Sequence, residues 1–284
     1  MSVADVERAR PELRRLRRRA VLALIYGALA AITVIMLYPF WYMAQASFRS
    51  LTQYQLGSGY SLASWRLLFD TLPVGRELLN STLITASAIA IILAVSTTGG
   101  YAFAVLRYPG STPLFLVVVA SMMVPMQSMI IPEFVNLANW GMVNHYYGAI
   151  LVYAALGAPF STFLMTAYFR RLPGDVIEAA LVDGLGYGRV FVRIMLPLAL
   201  PAIATIAVLQ FIQIWDDLLV GLLFLQTPEL RPITVGLATI PSQHMLDVPL
   251  LMAGSLLSAL PAIVVYLFFQ RYLIRGLTMG IGKG

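Results

Sequence analysis

The chain has no cysteine, a single lysine (Lys283) and two histidines among 284 residues. Without cysteine there is neither a disulfide framework nor a thiolate metal site. Charge is scarce: Asp, Glu, Lys and Arg make up 11% of the chain, where a soluble domain carries about a quarter. No G-x-x-x-x-G-K-[S/T] phosphate cradle and no H-E-x-x-H metal motif occurs, and no repeat of 20–50 residues or low-complexity tract is present. Hydrophobic residues fill the gap, at 60% with a mean hydropathy of +0.82. Most of the chain must therefore face lipid or other apolar helices. The net charge of +6 is no nucleic-acid signal, because seven of the nineteen basic residues lie in the first nineteen positions, directly before an apolar run. That placement is a membrane-orientation signal.

A membrane span needs about 20 apolar residues at about 1.5 Å per residue. Six segments qualify: Ala20–Ala44, Leu79–Val105, Thr112–Ile131, Gly148–Tyr168, Leu198–Leu225 and Leu250–Tyr272. Ala20–Phe48 is free of charge throughout, too long for the apolar core of a cleaved signal peptide, so it reads as a retained first span. Runs this long form helices, since backbone groups in hydrocarbon must satisfy one another. Pro39, Pro125, Pro159 and Pro261 mark expected kinks, and Glu133 the end of the third helix. The expectation is an all-α, polytopic membrane protein: a basic stretch at 1–19, a six-helix domain at 20–275 and a tail at 276–284.

Fifteen of the nineteen basic residues fall on one side of such a bundle; Arg49, Arg66, Arg76 and Arg231 fall on the other. This asymmetry predicts that both termini, and the 169–198 loop between the fourth and fifth spans, are cytoplasmic. The first outer loop, 45–78, carries the Gly57-Ser58-Gly59 turn and an amphipathic piece from Trp65 to Phe69, expected as a short interfacial helix with Trp65 as anchor. His145 and His244 fall in outer loops and are expected to be solvated.

The 169–198 loop is where charge returns. Pro173-Gly174-Asp175 starts a new helix, with Asp175 expected to cap it and Glu178 three residues later completing an Asp-type capping box. Ala179, Ala180, Leu181 and Val182 continue the helix, and Asp183-Gly184 closes it with glycine in the left-handed position. Two to three turns are marginal alone in water, so a partner surface is expected to bury the helix. Ile194-x-Leu196-Pro197, with Pro201 four residues on, leads back into the membrane.

This E-A-A, D-G, I-x-L-P pattern resembles the EAA loop of permease subunits of ATP-binding-cassette importers. Trp215-Asp216-Asp217 after Phe211-Ile212 and the run Arg231 to Leu237 resemble the fifth helix and following loop of sugar-importer permeases. Gln270-Arg271-Tyr272-Leu273, Gly276-Leu277-Thr278 and Gly280–Gly284 resemble the maltose-type permease tail. Similarity covers roughly residues 20–284, departing at Leu185, where Ala is usual, and Asp216, where Asn is commoner. The resemblance implies a type I, maltose-permease-like fold and coupling to a separate ATPase through Glu178, Ala179, Ala180, Asp183, Gly184 and Pro197. It implies an ATPase dimer that binds the ATP and Mg, a second permease subunit and an extracytoplasmic sugar-binding protein. The chain itself would hold no cofactor or metal and perform no catalysis, and it would lie in the bacterial plasma (inner) membrane.

Gln210, Gln213 and Asp217 recur at helical spacing on one face of the fifth span. Polar groups at this depth either line a cavity or pair across helices, and both readings stand here. Trp215 and Gln127 join them as pathway candidates: Trp215 could stack on a sugar ring or anchor an interface. The leading function is ATP-driven import of a di- or oligosaccharide. Alternatives are import of another polar solute, such as a glycerol phosphate ester or a polyamine, and ion-coupled secondary transport, disfavoured because the acids near spans sit at their ends.

Overall fold

A computed structural model describes residues 3–106, 108–240 and 247–278, with side chains among them from 18 to 272. Arg107, His244, Lys283 and Gly280–Gly284 lie outside the described residues. The described chain is helical, with no strand, as a backbone without water to bond must be.

Two compact units emerge, residues 1–67 with 246–256, and 68–245 with 257–284. The first contains α1 (Val3–Ser47), α2 (Leu51–Leu56) and the start of α3 (Ala63–Thr71). The Arg18–Ser47 part of α1 is long and apolar enough to cross a membrane. Its large side chains are uncovered, Leu24 at 75% and Ile35 at 70% exposure among them; water would not tolerate such a surface, and hydrocarbon does. The short helix α2 was not foreseen. Ser50 and Gln53 form a reciprocal capping box at its start, which the sequence S-L-T-Q spells out.

The second unit holds α4 (Val74–Val105), α5 (Ser111–Ser121), α6 (Met126–Asn139), α7 (Tyr146–Phe169), α8 (Gly174–Val182), α9 (Tyr187–Leu198), α10 (Leu200–Trp215), α11 (Leu219–Phe224) and α12 (Ile233–Ala238). The last helix, α13 (Val248–Thr278), runs through both units. Asp247 caps it by accepting from the Leu250 N–H at 3.0 Å. Two buried clusters organise the second unit. One joins Ile84, Ala88 and Ile92 of α4 to Val152 and Tyr153 of α7 and Phe224 of α11. The other joins Tyr101 of α4, Met165 and Phe169 of α7, and Val190 and Met195 of α9 to Ile206 of α10.

Among the described residues four helices are single candidate spans, and two bent pairs raise the number to six. A kink was expected at Pro125, but there the span breaks into two helices, and the second bend was not foreseen at all. The expected third span, Thr112–Ile131, is two helices, α5 and α6, at 98°. Pro125 has no N–H to continue the ladder and disfavours helical backbone at Val124, so the chain turns there. Glu133 accordingly sits inside α6 rather than at a helix end, and Pro132 is carried within that helix. The expected fifth span, Leu198–Leu225, stops at Trp215; α9 and α10 meet at 70°, and α11 is separate. Pro201 cannot donate to the carbonyl of Pro197, which breaks the ladder at Ala199.

Candidate functional site

The elbow between α5 and α6, the middle of α7 and the end of α10 enclose a cavity of about 550 Å³. Its wall includes Met122, Met126 and Met129 from the elbow, Tyr153, Gly157 and Phe160 from α7, and Gln210, Gln213 and Asp217 from the α10 side. The three polar residues that the sequence puts on one helical face thus share one wall, but their chemistry differs. Gln210 is 2% exposed and donates from Nε2 to Ser161 Oγ at 3.2 Å. It fits only because residue 157 is glycine: a Cβ there would lie 2.6 Å from Gln210 Oε1. Asp217 is a pin. Its Oδ1 accepts from Tyr153 Oη at 2.9 Å and from the Val220 N–H at 2.9 Å, capping α11. Its backbone carbonyl also accepts from Thr234 Oγ1 at 3.1 Å. Gln213 is exposed and, among the described residues, its amide makes no hydrogen bond, so it presents a free donor and acceptor to the cavity.

Two other pathway candidates lie elsewhere. Trp215 is 3% exposed, stacks on Phe211 at 5.2 Å and donates its indole N–H to the Ser258 carbonyl at 2.9 Å. It ties α10 to α13 and leaves no face for a solute. Gln127 is exposed on α6 but does not line the cavity. The sequence reading missed Tyr153, Ala155 and the methionine wall. Met122, Met126 and Met129 recur every three to four residues, a spacing that offered a signal. Pro159 offered another, because it has no N–H to donate to the carbonyl of Ala155, and both residues line the cavity. The pairing of Tyr153 with Asp217 spans 64 residues of sequence and left no local trace.

The second feature is the hairpin of α8 and α9. No side chain caps α8; it starts after Pro173, and Asp175 lies in its first turn, where the carboxylate favours the helix dipole. The expected capping box is therefore absent. Ile177, Ala180 and Leu181 turn inward onto the second cluster. Ala180 is 5% exposed, so it packs within its own chain rather than offering close approach to a partner. Glu178, Ala179, Asp183 and Gly184 are exposed, and so is Val182, at 87%. Gly184 has φ +83° and closes the helix as expected. Its N–H bonds the Leu181 carbonyl, and the Leu185 N–H bonds that of Ala180, both at 3.0 Å, completing a Schellman motif. Leu185 packs in the same cluster as Ala180, the apolar contact that accompanies this motif; the larger side chain fills the chain's own core. Pro197 is exposed near the end of α9, beside the 70° bend.

Known proteins share this chain's sequence and fold. Residues 96–279 match the family described as "Binding-protein-dependent transport system inner membrane component". Over 211 residues the chain is 37% identical to the osmoprotective compounds uptake permease protein GgtD of Synechocystis sp., covering 74% of this chain and 71% of that protein. Over 270 residues it is 31% identical to the diacetylchitobiose uptake system permease protein NgcG of Streptomyces coelicolor, covering 92% and 89%. Its fold matches a chain in the crystal structure of a bacterial ABC transporter involved in the import of the acidic polysaccharide alginate. There the TM-score is 0.77 at 22% identity, over 90% of this chain and 98% of that one. With Glu178, Ala179, Asp183 and Gly184 exposed on the hairpin and the family match running through it, the chain belongs to the binding-protein-dependent transport system inner membrane components, multi-pass permease subunits of ATP-binding-cassette importers, and is a transport subunit rather than an enzyme.

Proposed function

We propose that this chain passes an uncharged di- or oligosaccharide across the plasma membrane through the cavity between α5–α6, α7 and α10. The chemistry of that wall carries the reading. A sugar hydroxyl that loses water without a replacement partner costs about 1–3 kcal/mol; Gln213, the free oxygen of Asp217 and the Ala155 carbonyl supply replacements. Phe160 and the three methionines offer adaptable apolar surface to sugar C–H faces. No basic side chain lines the cavity among the described residues, which favours an uncharged cargo over an acidic one such as a uronate chain or a phosphate ester.

Counted by the loops that the sequence assigns, fifteen of the nineteen basic residues fall on one side and four on the other, which favours a cytoplasmic location for both termini and the hairpin. The exposed face of α8, with Val182, Ala179 and Val176 at helical spacing, is the docking surface for an ATPase dimer that holds the ATP and Mg. A second permease subunit completes the pathway, and an extracytoplasmic binding protein delivers the sugar. Closing of the ATPase pair displaces the hairpin; it shifts the bundle between inward- and outward-open states only as far as those states differ in affinity for the closed ATPase.

Uptake assays in the native cell test this. Deleting this chain should abolish ATP-dependent uptake of at least one labelled neutral oligosaccharide, and Gln213→Ala should raise its KM. If deletion spares every neutral sugar and removes uptake of an acidic one, the assignment is wrong.

A further inference from the structure

Two tyrosines from different membrane helices reach the backbone of α9, one at each end. Tyr101 of α4 is 5% exposed and donates its hydroxyl to the Tyr187 carbonyl, the first of α9, at 3.0 Å. Tyr168 of α7 donates to the Leu198 carbonyl, the last of α9, at 2.8 Å. Between these points lies a π-helical segment, Phe191–Met195, a register that proteins adopt in short pieces and often at functional sites. Met195 at its end and Val190 just before it are both 0% exposed. The Phe191 ring lies 5.0 Å from that of Tyr101, and Phe169 meets Tyr101 edge-on at 6.0 Å. Beyond Leu198 the ladder is broken and the chain swings 70° into α10.

We infer that Tyr101 and Tyr168 are positioning residues that fasten the α8–α9 hairpin to α4 and α7, so that a push on α8 moves α4 and α7 as one block. This rests on the proposed docking of an ATPase at α8. The π segment on its own is a compliant link, because its hydrogen-bond register differs from that of the helices on either side. With both ends held to the α4–α7 pair, displacement of the hairpin passes into those helices before it is absorbed. Past the 70° bend at Ala199, the α10 side is held to α7 separately, by the Gln210–Ser161 and Asp217–Tyr153 hydrogen bonds. Since the cavity has α7 on one side and Gln210, Gln213 and Asp217 on the other, displacement of the α4–α7 block reaches the cavity through α7. Tyrosine suits both positions, because its ring packs among apolar neighbours while its hydroxyl reaches a carbonyl that no aliphatic side chain could bond.

The test uses the assembled importer reconstituted in vesicles, with Tyr101→Phe, Tyr168→Phe and the double variant. Each substitution keeps the ring and removes one neutral hydrogen bond. Solute taken up per ATP hydrolysed should fall about fivefold for each single variant, with ATPase rate and subunit stoichiometry retained. An unchanged ratio overturns the inference, and so does loss of uptake and hydrolysis in equal proportion, which marks a merely structural role. Amide hydrogen exchange of the same complexes gives a second readout: residues 187–198 should exchange about fivefold faster in the single variants, and unaltered exchange there also overturns it. Cross-linking from Val182→Cys separates this inference from the reading beneath it. No cross-link to an ATPase overturns both, whereas an intact cross-link with an unchanged ratio overturns the tether alone.

Discussion

Gly184 offers the cleanest perturbation of the hairpin, because no neighbouring atom lies within 4 Å of where a Cβ would stand. Within this chain a substitution there changes backbone strain alone, and the asparagine variant below controls for contact with a partner. At φ +83° a side chain costs about 1–2 kcal/mol, and a β-branched one more. The two Schellman bonds at 3.0 Å depend on that conformation, so Gly184→Val shifts the hairpin away from its capped form by a factor of at least about 5 to 30. The spans, whose buried surface is untouched, should insert as before. We therefore expect normal membrane levels, a loss of co-purifying ATPase and uptake reduced by about the same factor. Gly184→Asn is the control, since asparagine tolerates the left-handed region, and it should retain most of the activity. Wild-type uptake by the Val variant, or equal loss in the Asn variant, would refute the view that the helix terminus, rather than the bare glycine, matters.

Gln213→Ala removes the one unpartnered amide on the cavity wall and should raise the KM for uptake about five- to tenfold, with ATPase association unchanged; an effect on complex yield alone would favour a packing role. Trp215→Phe should do the opposite, costing about 1 kcal/mol of stability from the lost bond to Ser258, visible as a lower Tm without a change in KM. Pro159→Ala restores a donor for the Ala155 carbonyl and should weaken uptake while raising thermal stability. Unaltered transport in that variant would remove Ala155 from the solute's path.

Hydropathy alone located the spans of α1, α4, α7 and α13, because lipid demands long unbroken apolar runs and little else interrupts them. It could not locate the two breaks. Thr112–Ile131 and Leu198–Leu225 are as apolar as the intact spans, and composition does not register that a proline has removed one backbone donor. Proline alone does not decide the matter either: Pro159 sits within a continuous α7 and Pro132 within α6, while Pro125 and Pro201 stand at breaks. In the hairpin, the Gly184 turn was legible from a local rule, whereas Asp175 was misjudged because Pro173 already starts α8 and leaves the carboxylate inside its first turn. The stripe Gln210, Gln213 and Asp217 was legible as a helical face. That Trp215, only two residues before Asp217, packs toward Ser258 depends on where α13 lies, which no local pattern encodes.

An apolar chain with 11% charged residues must still offer a polar solute something to bond, and backbone chemistry supplies part of it. A helix hides its carbonyls except in its last turn; in its interior a missing N–H four residues on exposes one, and proline is the residue that removes it. Ala155 and Pro159 stand in that relation on the cavity wall, and the Pro125 elbow brings Met122, Met126 and Met129 to face them. At Pro201 the same chemistry frees α10 from α9, beside the carbonyl that Tyr168 holds. Helix-breaking residues thus serve two ends in one chain: they make polar positions where charge would be costly, and they turn two spans into segments set at 98° and 70° to one another. A permease driven from outside itself needs both, since its cavity must be wettable and its halves must shift without either helix unfolding.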